Sequence, residues 1–106
     1  MKKIAIILTV LIAFLIEANA QLTRLTSGTI NDLYSVYFTS ATTGYAVGGS
    51  ANGQIILKTI NGGTSWAPQT GNINLVISYY FTLFSVYFPD ANTGYAVGES
   101  GTILKT

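Results

Sequence analysis

Leu33-Tyr-Ser-Val-Tyr-Phe38 and Gly44-Tyr-Ala-Val-Gly48 return fifty residues later as Leu83-Phe-Ser-Val-Tyr-Phe88 and Gly94-Tyr-Ala-Val-Gly98. Over positions 33–48, 12 of 16 residues are identical at that offset, which chance does not produce. A third pair, Ile56-Leu-Lys-Thr59 and Ile103-Leu-Lys-Thr106, is offset by 47, so the first copy carries three extra residues around Gly49 to Gln54. A period of this length marks a repeat architecture, in which one supersecondary unit buries its apolar face by stacking on the next.

Each copy reads as a series of short strands. Tyr34, Val36 and Phe38 alternate onto one face of the first, with Leu33, Ser35 and Tyr37 on the other. A polar turn follows, Ser40 to Gly44 in one copy and Asp90 to Gly94 in the next, and then a second strand at Tyr45 to Val47 between glycines. Gln54 to Thr59 makes a third, with Ile55 and Leu57 on one face and Lys58 pointing away. Asn61-Gly62-Gly63 is a strong turn signal because Asn and Gly tolerate positive φ, and Trp66 opens a fourth strand. Four short strands in about 50 residues match one blade of a β-propeller. The period breaks once: Gly28 to Ser35 spans 7 positions but Gly71 to Ser85 spans 14. The surplus, around Asn74 to Thr82, holds Val76, Ile77, Tyr79, Tyr80 and Phe81 and is expected to pack on its own blade. Left exposed, such an aromatic loop would be a binding surface.

The N-terminus differs from the rest. Lys2 and Lys3 precede an apolar run from Ile4 to Ile16, and Ala18-Asn19-Ala20 supplies a small-x-small cleavage site before Gln21. This is the pattern of a secretory signal peptide, and its run is short of the roughly 20 residues that span a bilayer. The expected location is therefore outside the cell, in the periplasm or in the envelope, with no stable membrane span after cleavage. Cleavage after Ala20 leaves 86 residues, whose Arg24, Lys58 and Lys105 balance Asp32, Asp90 and Glu99. A neutral chain lacks the basic footprint of nucleic-acid binding.

The residue inventory excludes most catalytic chemistry. With no His and no Cys, the usual zinc sites, thiolate ligands and His-based triads are absent, and no disulfide is available despite export. The glycines at 48–49 and 62–63 are followed by no Lys-Ser/Thr, so they are not a phosphate loop. No acidic turn offers the ligand count for calcium. Asp32 and Asp90 fall in expected turns, and nothing in the periodicity brings two carboxylates together as glycoside hydrolysis requires. No cofactor, metal or catalytic residue is expected.

Thr59-Ile-Asn61-Gly-Gly63-Thr-Ser65-Trp66 resembles the Asp-box, the Ser/Thr-x-Asp-x-Gly-x-Thr-Trp hairpin of bacterial neuraminidase (BNR) repeats. With Ser35-Val-Tyr-Phe38, Gly44-Tyr-Ala-Val-Gly48 and Ile56-Leu-Lys-Thr59, it is similar to the blade unit of the photosystem II assembly and stability factor family, seven-bladed propellers whose repeats also occur in secreted bacterial proteins. The likeness runs from about Leu25 to Thr106. It implies a structural turn built by Thr59, Asn61, Gly63, Ser65 and Trp66, in which Asn61 stands where the family has an acidic residue and Ser65 where it has threonine. An Asx-type turn tolerates the first exchange. The photosynthetic members engage a partner through an electropositive patch, whereas here three basic residues are dispersed.

The expected fold is thus all-β: about two four-stranded blades, an incomplete part of a propeller that the resemblance implies has seven, behind a signal peptide. The divisions are a leader over 1–20, an end-of-blade strand and linker over 21–32, a first repeat over 33–71, an inserted linker over 72–82 and a second, truncated repeat over 83–106. Gln21 to Gly28 resembles a fourth strand and is a candidate to complete the second blade. The expected function is a non-catalytic secreted module, protein-binding or structural, whose partner is a protein or a glycan on a propeller face, with self-association through unpaired blade edges. The alternative is a piece of a secreted neuraminidase-like glycoside hydrolase whose catalytic residues lie elsewhere. Tyr34, Tyr37, Tyr45, Tyr87 and Tyr95 occupy matching positions and are expected to pack rather than to form a ligand stripe.

Overall fold

In a computed structural model, residues 20–51, 53–69 and 81–106 are described. The leader (apart from Ala20) and the inserted segment (apart from Phe81 and Thr82) lie outside them. The first repeat forms β1 (Asp32–Phe38), β2 (Gly44–Ser50), β3 (Gly53–Thr59) and β4 (Ala67–Pro68), an antiparallel meander in that order. The second forms β5 (Leu83–Tyr87), β6 (Tyr95–Gly98) and β7 (Ile103–Lys105), with a 3-10 turn at Glu99–Gly101.

The cross-strand rows repeat between the sheets. Val36, Ala46 and Leu57 align in the first, as do Val86, Ala96 and Leu104 in the second. The opposite faces carry Ser35, Val47 and Ile56 with Tyr37, Tyr45 and Lys58, and Ser85, Val97 and Ile103 with Tyr87, Tyr95 and Lys105. We call these the alanine face and the tyrosine face of each sheet. The two sheets stack so that the tyrosine face of the first covers the alanine face of the second. Val47, Leu83, Val86, Phe88 and Ala96 form the core, with Tyr37, Tyr45, Ile56 and Leu104 packed around it.

Along β1 and β5 stacking decides burial, because the same side chain at the same register differs between the copies, although Ala46 and Leu57 are buried on the outer alanine face as well. Val86 is 9% exposed and its equivalent Val36 57%, while Phe88 is 4% exposed and Phe38 40%. On the tyrosine faces the order reverses: Val47 is 0% exposed and Val97 43%. The Phe88 ring stacks on Tyr45 at 4.4 Å and on Tyr37 at 5.9 Å. Ser35 Oγ accepts the Val86 amide at 3.3 Å, tying β5 to the first sheet.

Three features depart from the sequence expectation. First, a β-bulge lies between Leu33 and Ser35, and again between Leu83 and Ser85. The extra residue, Tyr34 or Phe84, moves Leu33 onto the alanine face with Val36 and Phe38, whereas strict alternation put it with Ser35 and Tyr37. Gly48 and Gly98 oppose the bulges, where a Cβ would strike the carbonyl oxygens of Asp32 and Thr82. Second, no strand forms over 21–28. The hydrogen bonds of the following stretch are local, from Ser27 Oγ to the Thr29 carbonyl and from the Asn31 amide to Thr29 Oγ1. Leu25 meets Gly63, near Trp66, on the first sheet, so the segment does not complete the second. Third, Asp32 opens β1 rather than sitting in a turn, and the fourth strand begins at Ala67, one residue after Trp66.

Candidate interaction surface

The turn between β3 and β4 gathers all five residues singled out in the sequence. Thr59 is buried, and its hydroxyl receives the Gly63 amide at 2.9 Å while donating to Asn61 Oδ1 at 2.9 Å. The same Oδ1 accepts the Ser65 amide at 2.9 Å, and Asn61 Nδ2 donates to Ser65 Oγ at 2.8 Å. Gly62 and Gly63 take φ of 68° and 89°, which the loop needs and which side chains resist. Trp66 packs edge-on against Phe38 at 6.0 Å. The Thr59, Asn61 and Ser65 side chains are spent on each other and on the backbone of the turn.

Two carboxylates, those of Asp90 and Glu99, are likewise engaged by backbone amides. Asp90 Oδ1 accepts the Asn92 and Thr93 amides, both at 2.8 Å, and Ser40 Oγ does the same for Thr42 and Thr43 in the first repeat. Glu99 Oε2 accepts the Thr82 amide at 2.9 Å. Asp90 precedes β6 and Glu99 follows it, so the strand separates them. Lys58 lies over the Tyr45 ring at 5.5 Å and Lys105 over Tyr95 at 5.9 Å, one cation on each sheet rather than a shared basic patch.

Surface that is open and shaped lies between and beside the sheets. A groove of about 360 Å³ runs between them, bordered by Tyr45, Ile56 and Gln69 on one side and Phe88, Leu104 and Thr106 on the other. Its floor is the apolar core and its outer wall includes β7. On the first sheet the outer strand β3 is covered by β4, through Leu57 opposite Pro68 and Lys58 opposite Ala67, and Gln69 donates its amide to the Ile56 carbonyl at 2.8 Å. The equivalent edge of β7 has no strand partner among the described residues. Sequence reasoning found the repeat that creates this edge but not the groove, because both walls consist of ordinary packing residues. A second recess, of about 380 Å³, lies on the alanine face of the first sheet between Leu25, Trp66, Val36 and Ala46.

No protein-family model matches the chain, and no curated protein does. Among solved structures it is similar to YCF48 bound to D1 peptide, with a TM-score of 0.63 and 29% identity over 77% of this chain. The fold is that of β-propeller blades. The chain spans 25% of the length of the YCF48 chain it matches, and the matched protein is not named for an enzymatic activity.

Proposed function

We propose that this chain is a non-catalytic, exported propeller module, assembly-factor-like in kind, that binds an extended protein segment along the open edge of β7. The observation that carries it is the likeness to YCF48, a protein solved with a peptide bound. Local geometry supports the same chemistry. An extended peptide added beside β7 would repeat what β4 does beside β3, taking its main-chain hydrogen bonds from the edge and setting alternate side chains into the groove. By the repeat, Ile103 and Lys105 present outward backbone groups as Ile56 and Lys58 do. A protein partner is favoured over a glycan because a strand edge offers backbone donors and acceptors in the peptide's own spacing. The Asp90 and Glu99 carboxylates, committed to backbone amides on either side of β6, are poor candidates for paired acid–base work, which disfavours the hydrolase alternative.

The test is fluorescence anisotropy with a labelled D1 peptide and a scrambled control. Saturable binding of the first, weakened roughly fivefold by Lys105→Pro through loss of one edge hydrogen bond, supports the proposal. Equal response to both peptides, or no response, removes it. The tyrosine-ring contact of Lys105 is controlled by Lys105→Ala, which keeps the amide and should retain most of the affinity.

A further inference from the structure

The molecule exposes both halves of an interface that it already makes internally. The buried contact joins the tyrosine face of the first sheet to the alanine face of the second. Among the described residues, the open surfaces are the β1 side of the first sheet's alanine face and the tyrosine face of the second. On the former, Ala46 and Leu57 are already buried but Leu33, Val36 and Phe38 are not. The repeat makes these open surfaces near copies of the buried pair. Leu33, Val36 and Phe38 stand open where Leu83, Val86 and Phe88 are buried, and Tyr95 and Val97 stand open where Tyr45 and Val47 are covered. Even the polar contact has its counterpart, since Ser85 is exposed at the position from which Ser35 receives the Val86 amide.

We propose that a second copy of this chain docks head to tail, its Leu33–Val36–Phe38 face on the Tyr87–Tyr95–Val97 face of the first. Phe38 of the incoming copy then stacks on Tyr87 and Tyr95 as Phe88 does on Tyr37 and Tyr45. This association is through sheet faces, not strand edges, and it is independent of peptide binding at β7. The segment before β1 leaves room for it: Leu25 and Trp66 border the recess that Val36 and Ala46 line, yet Val36 remains 57% exposed, and the internal contact is made by β5 on β1 and β2. The equivalent strand of the incoming copy, β1, carries the open residues. Such an interface is heterologous, so it continues until a ring closes.

Light scattering and sedimentation velocity on the purified protein test this, with two variants at exposed positions, Val36→Glu and Val97→Glu. The wild type should form one discrete oligomer that dilutes reversibly. Each variant should be a monomer with an unchanged circular dichroism spectrum, its dissociation constant raised at least about 100-fold by an unpaired charge in an apolar contact. Mixed together, the variants should form a one-to-one heterodimer and stop there, because each supplies the intact face the other has lost. A monomeric wild type overturns the proposal, as do variants that remain associated or a folded pair that fails to complement. Peptide binding is read on the Val36→Glu monomer, which leaves β7 and Lys105 unaltered, so the two proposals fail separately.

Discussion

The hydroxyl of Thr59 is engaged on both sides, accepting the Gly63 amide and donating to Asn61 Oδ1, within a residue that is almost wholly buried. Thr59→Val keeps the shape but orphans the Gly63 amide, and should cost about 1–3 kcal/mol in urea unfolding, whereas Thr59→Ser should restore most of it. Asn61→Asp should change stability by less than about 0.5 kcal/mol. The carboxylate still accepts the Ser65 amide, and the Ser65 hydroxyl can turn to donate in place of the lost Nδ2 bond. Gly48 is the opposite case, fixed by space rather than by hydrogen bonding. Gly48→Ala should cost more than about 2 kcal/mol, since its Cβ meets the Asp32 carbonyl and lies 2.9 Å from Leu33 Cα.

At the scale of strands and sheets, stability depends on which face is covered rather than on local sequence. Val36 and Val86 occupy the same register against Ala46 and Ala96. Val86→Ala should nevertheless cost about 2 kcal/mol and Val36→Ala less than about 0.5 kcal/mol, measured at dilutions where chains are apart. Strand order and the three-residue surplus after Gly48 were legible because alternation and turn residues act locally. The turn at Asn61 to Gly63 was legible for the same reason, its two glycines taking the positive φ that the Asn-Gly-Gly run signals. The bulge at Tyr34 was not, since an extra residue leaves no mark on composition and appears only once Leu33 pairs with Gly48 and Ser35 with Val47. Nor was the path of Gln21 to Gly28 legible. Its Leu22 and Leu25 suit a strand as well as an irregular segment, and only contact with Gly63 distinguishes them. The groove beside β7 depends on two sheets separated by 50 residues in sequence, which periodicity alone does not orient.

For the whole molecule, the core draws Val47 from one sheet and Leu83, Val86, Phe88 and Ala96 from the other. Neither sheet retains that core alone, so unfolding should be a single cooperative transition. Near-ultraviolet dichroism from the stacked Tyr37, Tyr45 and Phe88 rings should melt together with the far-ultraviolet strand signal; two separated midpoints would show that the sheets unfold independently. Export is checked by mass spectrometry of the protein recovered outside the cytoplasm, whose first residue should be Gln21. An N-terminus at Met1 or Lys2 would remove the signal-peptide assignment.

The near identity of the two repeats also bears on how the chain finds its fold. β1 would meet nearly the same cross-strand partners in β6 as in β2, since Tyr95-Ala-Val-Gly98 duplicates Tyr45-Ala-Val-Gly48. The energies of the correct and exchanged hairpins are therefore close, and chain connectivity must choose between them. Five residues link β1 to β2, against roughly 55 to β6, a difference in closure entropy of about 2 kcal/mol. That margin favours the native hairpin kinetically, and it disappears when two nascent chains are crowded together. Refolding yield should consequently fall with protein concentration, through strand exchange between molecules whose every local pairing is native in kind.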